Sequence, residues 1–333
     1  MLKQKSSQLS FYGDHIYDRI IPDDHFLKLL ERTVDFSFVN DLCRDAYNPD
    51  VGRPAYEPQM MFKMLFLQFL YDISDRRIEE EVNFNLVLKW FVGLAIDESP
   101  PDATSLTRFR DRLGVERFAS VFNQIVSIAR ENGLISDRLS IVDSTRVKAK
   151  VNTFKIQTKP EYTPDKDARY GYKTKNQPFF GYKTHTGIDA DSELITKVTT
   201  TPGNVHDGEV FREVLDDKAQ MVTADKAYDS KKNHRLLKRK KKKSAIIIKK
   251  NRKSKRLKKN QMKADVVAAQ RERPKIERKF AELKRYHGLA VARYWGLTKM
   301  AVQNLMAAIT CNLKRIVKLI FQQNGKTFVP LET

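Results

Sequence analysis

Residues 139–150 read Leu139-Ser-Ile-Val-Asp-Ser-Thr-Arg-Val-Lys-Ala-Lys150. The apolar pair Ile141-Val142 is short and β-branched, so it reads as a buried strand rather than a helix. That strand delivers a carboxylate, Asp143, and the chain then turns polar and basic. A lone aspartate at a strand end is ordinarily a cap or a turn residue. Two further carboxylates in comparable settings change the reading. Asp225 closes Met221-Val-Thr-Ala-Asp, and Glu277 lies in Arg273-Pro-Lys-Ile-Glu. Three carboxylates so placed in a basic chain point to metal-assisted phosphoryl transfer on nucleic acid.

The neighbouring segments build a sheet around that strand. Strands are expected at 140–143, 182–189, 194–201, 221–225 and 245–248. The second and third are joined by Asp189-Ala-Asp-Ser, a turn signal, and should form a hairpin. A helix is expected at 207–219, between the third and fourth strands. Three strands, a helix, a strand, a helix and a fifth strand is the order of a ribonuclease-H-like α/β fold, a mixed five-stranded sheet with flanking helices. Residues 150–180 read as a loop insert, with 165–172 its ordered part. After the sheet, 274–286 is helical with Ile276, Phe280 and Leu283 on one side, and 297–320 forms a longer helix.

Upstream, the pattern is all-α. Phe26, Leu29, Leu30 and Val34 recur at helical spacing, and Gly52-Arg-Pro breaks the pattern. Pro58 suits a first helical turn, followed by a stripe of Met61, Met64, Leu65, Gln68 and Phe69. Ser74 or Asp75 can cap the next helix, and a third is expected near 86–92. Asp102 or Thr104 can cap a short helix carrying Arg108, Arg110 and Arg112, stopped by Gly114. A longer helix at 115–132 closes at Gly133. The chain therefore divides into a helical N-terminal domain, 1–135, and a catalytic domain, 136–333. Short helices ending in an arginine-bearing one fit a helix-turn-helix-like DNA reader, and a solvated face fits the same arginines.

Of 333 residues, 62 are Lys or Arg and 41 Asp or Glu, a formal net charge of +21. Such a charge repels itself in a compact fold, and a polyanionic partner accounts for it. The segment 231–263 contains no acidic residue. It is read as a phosphate-contacting surface, with Lys240, Lys241, Lys249 and Lys250 as representatives. Two cysteines, Cys43 and Cys311, make neither a disulfide framework nor a zinc site. No segment reads as a signal peptide or a membrane span, so the expected setting is a reducing cytoplasm.

At this point the residues resemble a known family. Asp143 in its strand, Asp225 in Ala-Asp-Lys-Ala-Tyr-Asp, and Glu277 look like the Asp-Asp-Glu triad of bacterial insertion-sequence transposases. The family signature Tyr-x2-Arg-x3-Glu-x6-Lys is met by Arg273, Glu277 and Lys284, with Gln270 in place of the tyrosine. Ser105-Leu-Thr-Arg-Phe-Arg-Asp-Arg-Leu and Thr201-Pro-Gly-Asn-Val-His-Asp also look like family segments. The resemblance implies cleavage at element ends and transfer of 3′-hydroxyls into target DNA. It implies two Mg2+ ions, with Mn2+ able to substitute, on Asp143, Asp225 and Glu277. It implies double-stranded DNA as partner, both terminal inverted repeats and target, a homodimer in the DNA complex, no membrane, and a bacterial, nucleoid-associated location. Arg273 and Lys284 become DNA contacts. His206, Asp207 and Tyr228 are candidates to support the site, although Asp207 reads equally well as a helix cap. His185 reads as structural rather than as a ligand. A nuclease that cuts without joining, and a non-catalytic DNA-binding repressor, are the alternatives.

Overall fold

The structure is a computed structural model describing residues 11–48, 55–158, 162, 164–172 and 177–323. The Gly52-Arg-Pro break lies outside the described residues. The chain separates into two compact units, Met1–Phe122 with Leu313–Thr333, and Asn123–Asn312. The unit boundary at 122/123 falls within one long helix, whose last nine residues belong to the second unit.

The first unit is helical. In order it holds α1 (Phe11–Ile20), α2 (Phe26–Thr33), α3 (Phe38–Cys43), α4 (Pro58–Leu70), α5 (Asp75–Phe84), α6 (Leu86–Val92) and the first part of α7 (Ala103–Glu131). Pro58 opens α4, where a missing N–H costs nothing. The one-sided stripe expected for α4 is too modest a reading, since its residues are buried nearly all round. A helix apolar on every side is a central core helix. Its Lys63 is paired with Glu31 at 2.6 Å and lies over the rings of Phe36 and Phe91. Ser74 caps α5 by accepting from the Arg77 amide, as its sequence position anticipates. Within α7 the backbone breaks at Gly114, φ 63° and ψ −178°. Only glycine takes that conformation without strain, and so the arginine-bearing helix ends there.

The second unit is a six-stranded mixed sheet: β1 (Leu139–Lys148), β2 (Arg169–Tyr172), β3 (Pro178–Asp189), β4 (Ile195–Pro202), β5 (Met221–Ala224) and β6 (Lys243–Ser244). β1 is central, antiparallel to β3 and parallel to β5. β4 lies antiparallel on β3 and β6 parallel on β5. The sixth strand, β2, comes from the segment read as a loop and pairs with the first residues of β3. The same segment also holds α8 (Thr153–Thr158). β1 runs five residues past Asp143 because its polar half, Ser144 to Lys148, pairs fully with β3. Beyond β6 the chain stays hydrogen-bonded to β5, from Ala245 N to Val222 O at 2.8 Å and Ile247 N to Ala224 O at 3.0 Å.

One face of this sheet is closed by Phe211, Val214, Leu215, Tyr228, Leu236 and Leu237, packed with Val142, Val222, Ala224 and Ile246. The helix expected at 207–219 is only a 3-10 turn, Asp207–Arg212. The chain after that turn is fastened by side chains instead: Arg130 bonds Asp216, and Lys242 Nζ bonds the carbonyls of Asp217 and Ala219. The basic segment is ordered into α9 (Lys231–Arg239), β6 and α10 (Lys255–Gln261), with Ser230 and Ser254 as N-caps. After it come α11 (Ala264–Arg271) and α12 (Pro274–Tyr286). α12 packs on β1 through its buried Ile276, Phe280 and Leu283. The last helix, α13 (Leu297–Gln323), is fastened to β4 within this unit by Asn312, whose amide exchanges two 2.8 Å bonds with the Ile195 backbone.

Candidate active site

Register places the first two carboxylates. Val142 lies opposite Ala224 in the parallel pair of β1 and β5. The next residue on each strand is Asp143 and Asp225, so both carboxylates leave the sheet side by side. Asp143 Oδ1 accepts the Ser144 amide at 2.8 Å, and Asp225 Oδ1 accepts the Lys226 amide at 2.6 Å. Asp225 thereby caps the short 3-10 turn Lys226–Tyr228.

The third carboxylate arrives on α12. Glu277 lies in its first turn, with a side chain more than half exposed. Arg273 binds it to the first: Nη1 donates to Asp143 Oδ2 at 2.7 Å and Nη2 to Glu277 Oε1 at 2.8 Å. The structure therefore puts Arg273, expected on DNA, among the carboxylates. Pro274 at the first helical position sets the start of α12 so that Arg273 and Glu277, four apart, share a face. Lys284 lies two turns further along α12 and is half-buried.

Burial pushes the Asp143 carboxyl up to about 6. The Ser144 amide and the Arg273 charge pull it down, and the Asp225 carboxylate pushes it up again. A carboxylate cluster of this kind needs cations. The donor set is all oxygen, as hard divalent ions require, and a guanidinium already bonds two of its members. The donor chemistry of Asp143, Asp225 and Glu277 suits a divalent cation, although among the described residues these three do not lie within 4.8 Å of one another as Glu282, His287 and Cys311 do.

Behind the carboxylates stands a buried polar layer. The Tyr228 hydroxyl is driven well above its ordinary range by burial, with Asp207, Asp143 and Asp225 adding to the effect. Its ring packs on Phe211 at 5.7 Å. The cap expected of Asp207 is made instead by His206, whose Nδ1 accepts the Gly208 amide at 3.1 Å. Asp207 instead takes the Lys183 ammonium at 2.9 Å. His185 is fully buried, bonded to Thr201 at 2.9 Å, and burial lowers it to about 4. A neutral imidazole held inside the sheet agrees with the structural role expected for it.

Asp229, which with Tyr228 reads from the sequence as either a helper of the site or plain packing, is an organiser. Its buried carboxylate accepts from Arg252 at 3.1 Å and the Lys249 amide at 2.9 Å, and bonds His234 at 2.9 Å. It ties the loop after β6 to the turn that carries Asp225. The only signal is its place four residues after Asp225, with no pattern to name its partners. Around this tie opens a cavity of about 1270 Å3 lined by α9, β6, α10 and the loop between the last two. Eleven of its lining residues are Lys or Arg and two are Asp. Lys249 faces this groove, Lys250 is exposed beside it, and Lys241 is exposed at the turn before β6. Lys240 forms an ion pair with Asp217. Its lining residues include no Phe, Tyr or Trp, and its one ring, His234, is held by Asp229.

A second group with metal-binding residue types, Glu282, His287 and Cys311, lies within 4.8 Å. Lys279, bonded to Glu282 at 2.7 Å, pairs with this group. In the helical unit, the three candidate arginines separate. Arg110 is buried and paired with Asp75, Arg112 lies over the Tyr47 ring at 4.5 Å, and Arg108 is exposed. Arg110 is thus engaged in the ion pair that holds α5 to α7.

This geometry agrees with the comparisons. A family model described as a transposase DDE domain matches residues 135–313, more than half of the chain. The chain belongs to that family and is a DDE transposase. A second model, described as a transposase domain (DUF772), matches residues 15–112. Among solved structures, a piggyBac transposase synaptic complex with hairpin DNA is similar over 92% of this chain and 76% of that one, at 11% identity and a TM-score of 0.45. DDE transposases generally depend on divalent metal ions. Among the described residues, no helix is long and apolar enough to cross a membrane.

Proposed function

We propose that this transposase cleaves DNA at the ends of its mobile element and joins the freed 3′-hydroxyls to target DNA. The observation that carries the reading is that Asp143, inside β1, and Asp225, just beyond β5, each follow the paired residues Val142 and Ala224, with Glu277 tied to Asp143 by one guanidinium. These three carboxylates would hold two Mg2+ ions, or Mn2+ in their place. Bound there, the ions would supply Lewis-acid polarisation of the attacking oxygen and charge stabilisation of the departing one. The chain's own share is placement. β1 and β5 fix two carboxylates in register, α12 brings the third, and the buried Tyr228 lies close enough for Asp143 and Asp225 to act on its hydroxyl. The strand order β4-β3-β1-β5-β6, with β3 alone reversed, supports a ribonuclease-H-like catalytic domain. Residues 1–135 would serve end recognition through Arg108 and neighbouring surface. The partner is duplex DNA held by a homodimer, in a cytoplasmic, nucleoid-associated setting.

The deciding experiment offers precleaved element-end DNA and a supercoiled target. Joined products in Mg2+, absent in Ca2+, are expected. Hydrolysis without joining would instead make the protein a nuclease, and neither activity would leave a DNA-binding repressor.

The basic groove carries a separate expectation. Replacing Lys249, Lys250 and Lys253 with Gln should weaken binding to all duplexes alike. The log–log salt slope should flatten by about 0.9 for each phosphate no longer neutralised. Filter binding between low and moderate salt measures it. An unchanged slope, with discrimination between sequences abolished, would make these lysines base readers instead.

A further inference from the structure

Arg273 has two classes of partner open to it and can serve only one at a time. We propose that Arg273 is a resident counter-cation that competes with the metal ions and is exchanged onto DNA phosphate when the substrate docks. This rests on the reading of Asp143, Asp225 and Glu277 as the metal-holding set.

The argument starts from the bonds. The guanidinium donates to Asp143 Oδ2 at 2.7 Å and to Glu277 Oε1 at 2.8 Å. The Arg273 and Asp143 side chains are only 20% and 19% exposed. A divalent ion shared by the same two carboxylates would place like charge against the guanidinium in a part-buried setting, where repulsion is weakly screened. Arg273 and a bound ion therefore exclude each other from those oxygens. The side chain alone can make the change, since Pro274 pins the backbone at the start of α12.

The fork that fits a carboxylate fits a phosphate equally well. DNA lying across the carboxylates brings phosphates to the mouth of the same site, close to where Arg273 already reaches. Giving the guanidinium a phosphate frees Asp143 and Glu277 for metal. The two binding events are then linked, and by reciprocity each raises the affinity of the other. Free protein would hold its ions weakly, so the hydrolytic machinery assembles on DNA rather than in solution. Arg273 acts here as a positioning residue, through the carboxylates it occupies.

The test measures Mn2+ binding to the full chain by loss of the free-ion electron paramagnetic resonance signal, at fixed ionic strength. Without DNA, Arg273→Ala and Arg273→Gln should bind Mn2+ at least about fivefold tighter than the unmodified protein. Adding a mixed-sequence duplex should tighten Mn2+ binding in the unmodified protein and much less in either variant. Thermal melting checks folding, and the Gln variant keeps hydrogen-bonding capacity if the Ala variant fails to fold. Unchanged or weaker Mn2+ affinity in a folded arginine variant overturns the exchange. An Asp143→Asn protein that binds Mn2+ as the unmodified one does would overturn the metal-holding reading beneath it. The two failures are thus told apart.

Discussion

Asp225→Asn is expected to abolish DNA cleavage while leaving the fold and DNA affinity in place. The substitution keeps the side-chain oxygen that accepts the Lys226 amide, so the cap of the 3-10 turn survives. What it removes is one negative charge from the place where β1 and β5 present adjacent carboxylates. Losing a metal-holding charge takes away several kcal/mol of charge stabilisation in the transition state. About 4 kcal/mol corresponds to roughly a thousandfold in rate. Asp143→Asn should lose as much, because the Ser144 amide can still bond the remaining oxygen while Arg273 loses half of its carboxylate grip. Cleavage of end-bearing DNA is the activity readout. Melting temperature and the salt slope of binding should stay at the level of the unmodified protein. An Asp225→Asn protein that cuts at the normal rate would end the assignment of Asp225.

The strand core was legible because burial leaves a local mark. Ile141-Val142, Val222 and Ala224 are short apolar stretches, and each is a buried strand of the sheet. The helix ends at Gly114 and Gly133 were legible for the same reason, since both glycines stand at positive φ. What escaped was set at long range. The polar half of β1 is a strand only because β3 pairs with it, and no local preference in Ser-Thr-Arg announces that. β2 is in the same position on the other part of β3. The segment 207–219 had helical spacing, but Arg130 and Lys242 take its polar groups for themselves.

In the candidate site, the sequence marked three carboxylates but not the guanidinium that bonds two of them. Arg273 and Asp143 are separated by 130 residues. The spacing from Arg273 to Glu277 advertised a motif, and the motif did not say which way the guanidinium turns. The acid-free segment was rightly seen as basic. That Ser230 and Ser254 cap two helices inside it is ordinary capping chemistry, which a run of like charge obscured.

Arg110→Ala should be the most destabilising arginine change in the helical unit, whereas Arg108→Ala should hardly touch stability. Arg110 is only 8% exposed. Nη1 donates to Asp75 Oδ1 at 2.9 Å, Nη2 to Asp75 Oδ2, and Nη2 also reaches Thr107 Oγ1 at 3.0 Å. Gln68 Nε2, from the core helix α4, donates to the same carboxylate. One fork thus joins α4, α5 and α7. Removing it leaves Asp75 with the Gln68 amide and the Thr107 hydroxyl but without the countercharge of the fork. Breaking a buried pair on one side costs about 3–5 kcal/mol. An exposed residue away from such features stays within about 0.5 kcal/mol, and Arg108 is of that kind. If the stranded charge is the cause, the double variant Arg110→Met, Asp75→Asn should be more stable than Arg110→Ala alone, since no uncompensated carboxylate is left behind. Urea unfolding monitored by helix signal measures all three. Should Arg110→Ala melt like the unmodified protein while losing DNA, the ion pair would be incidental and the arginine would return to the DNA surface.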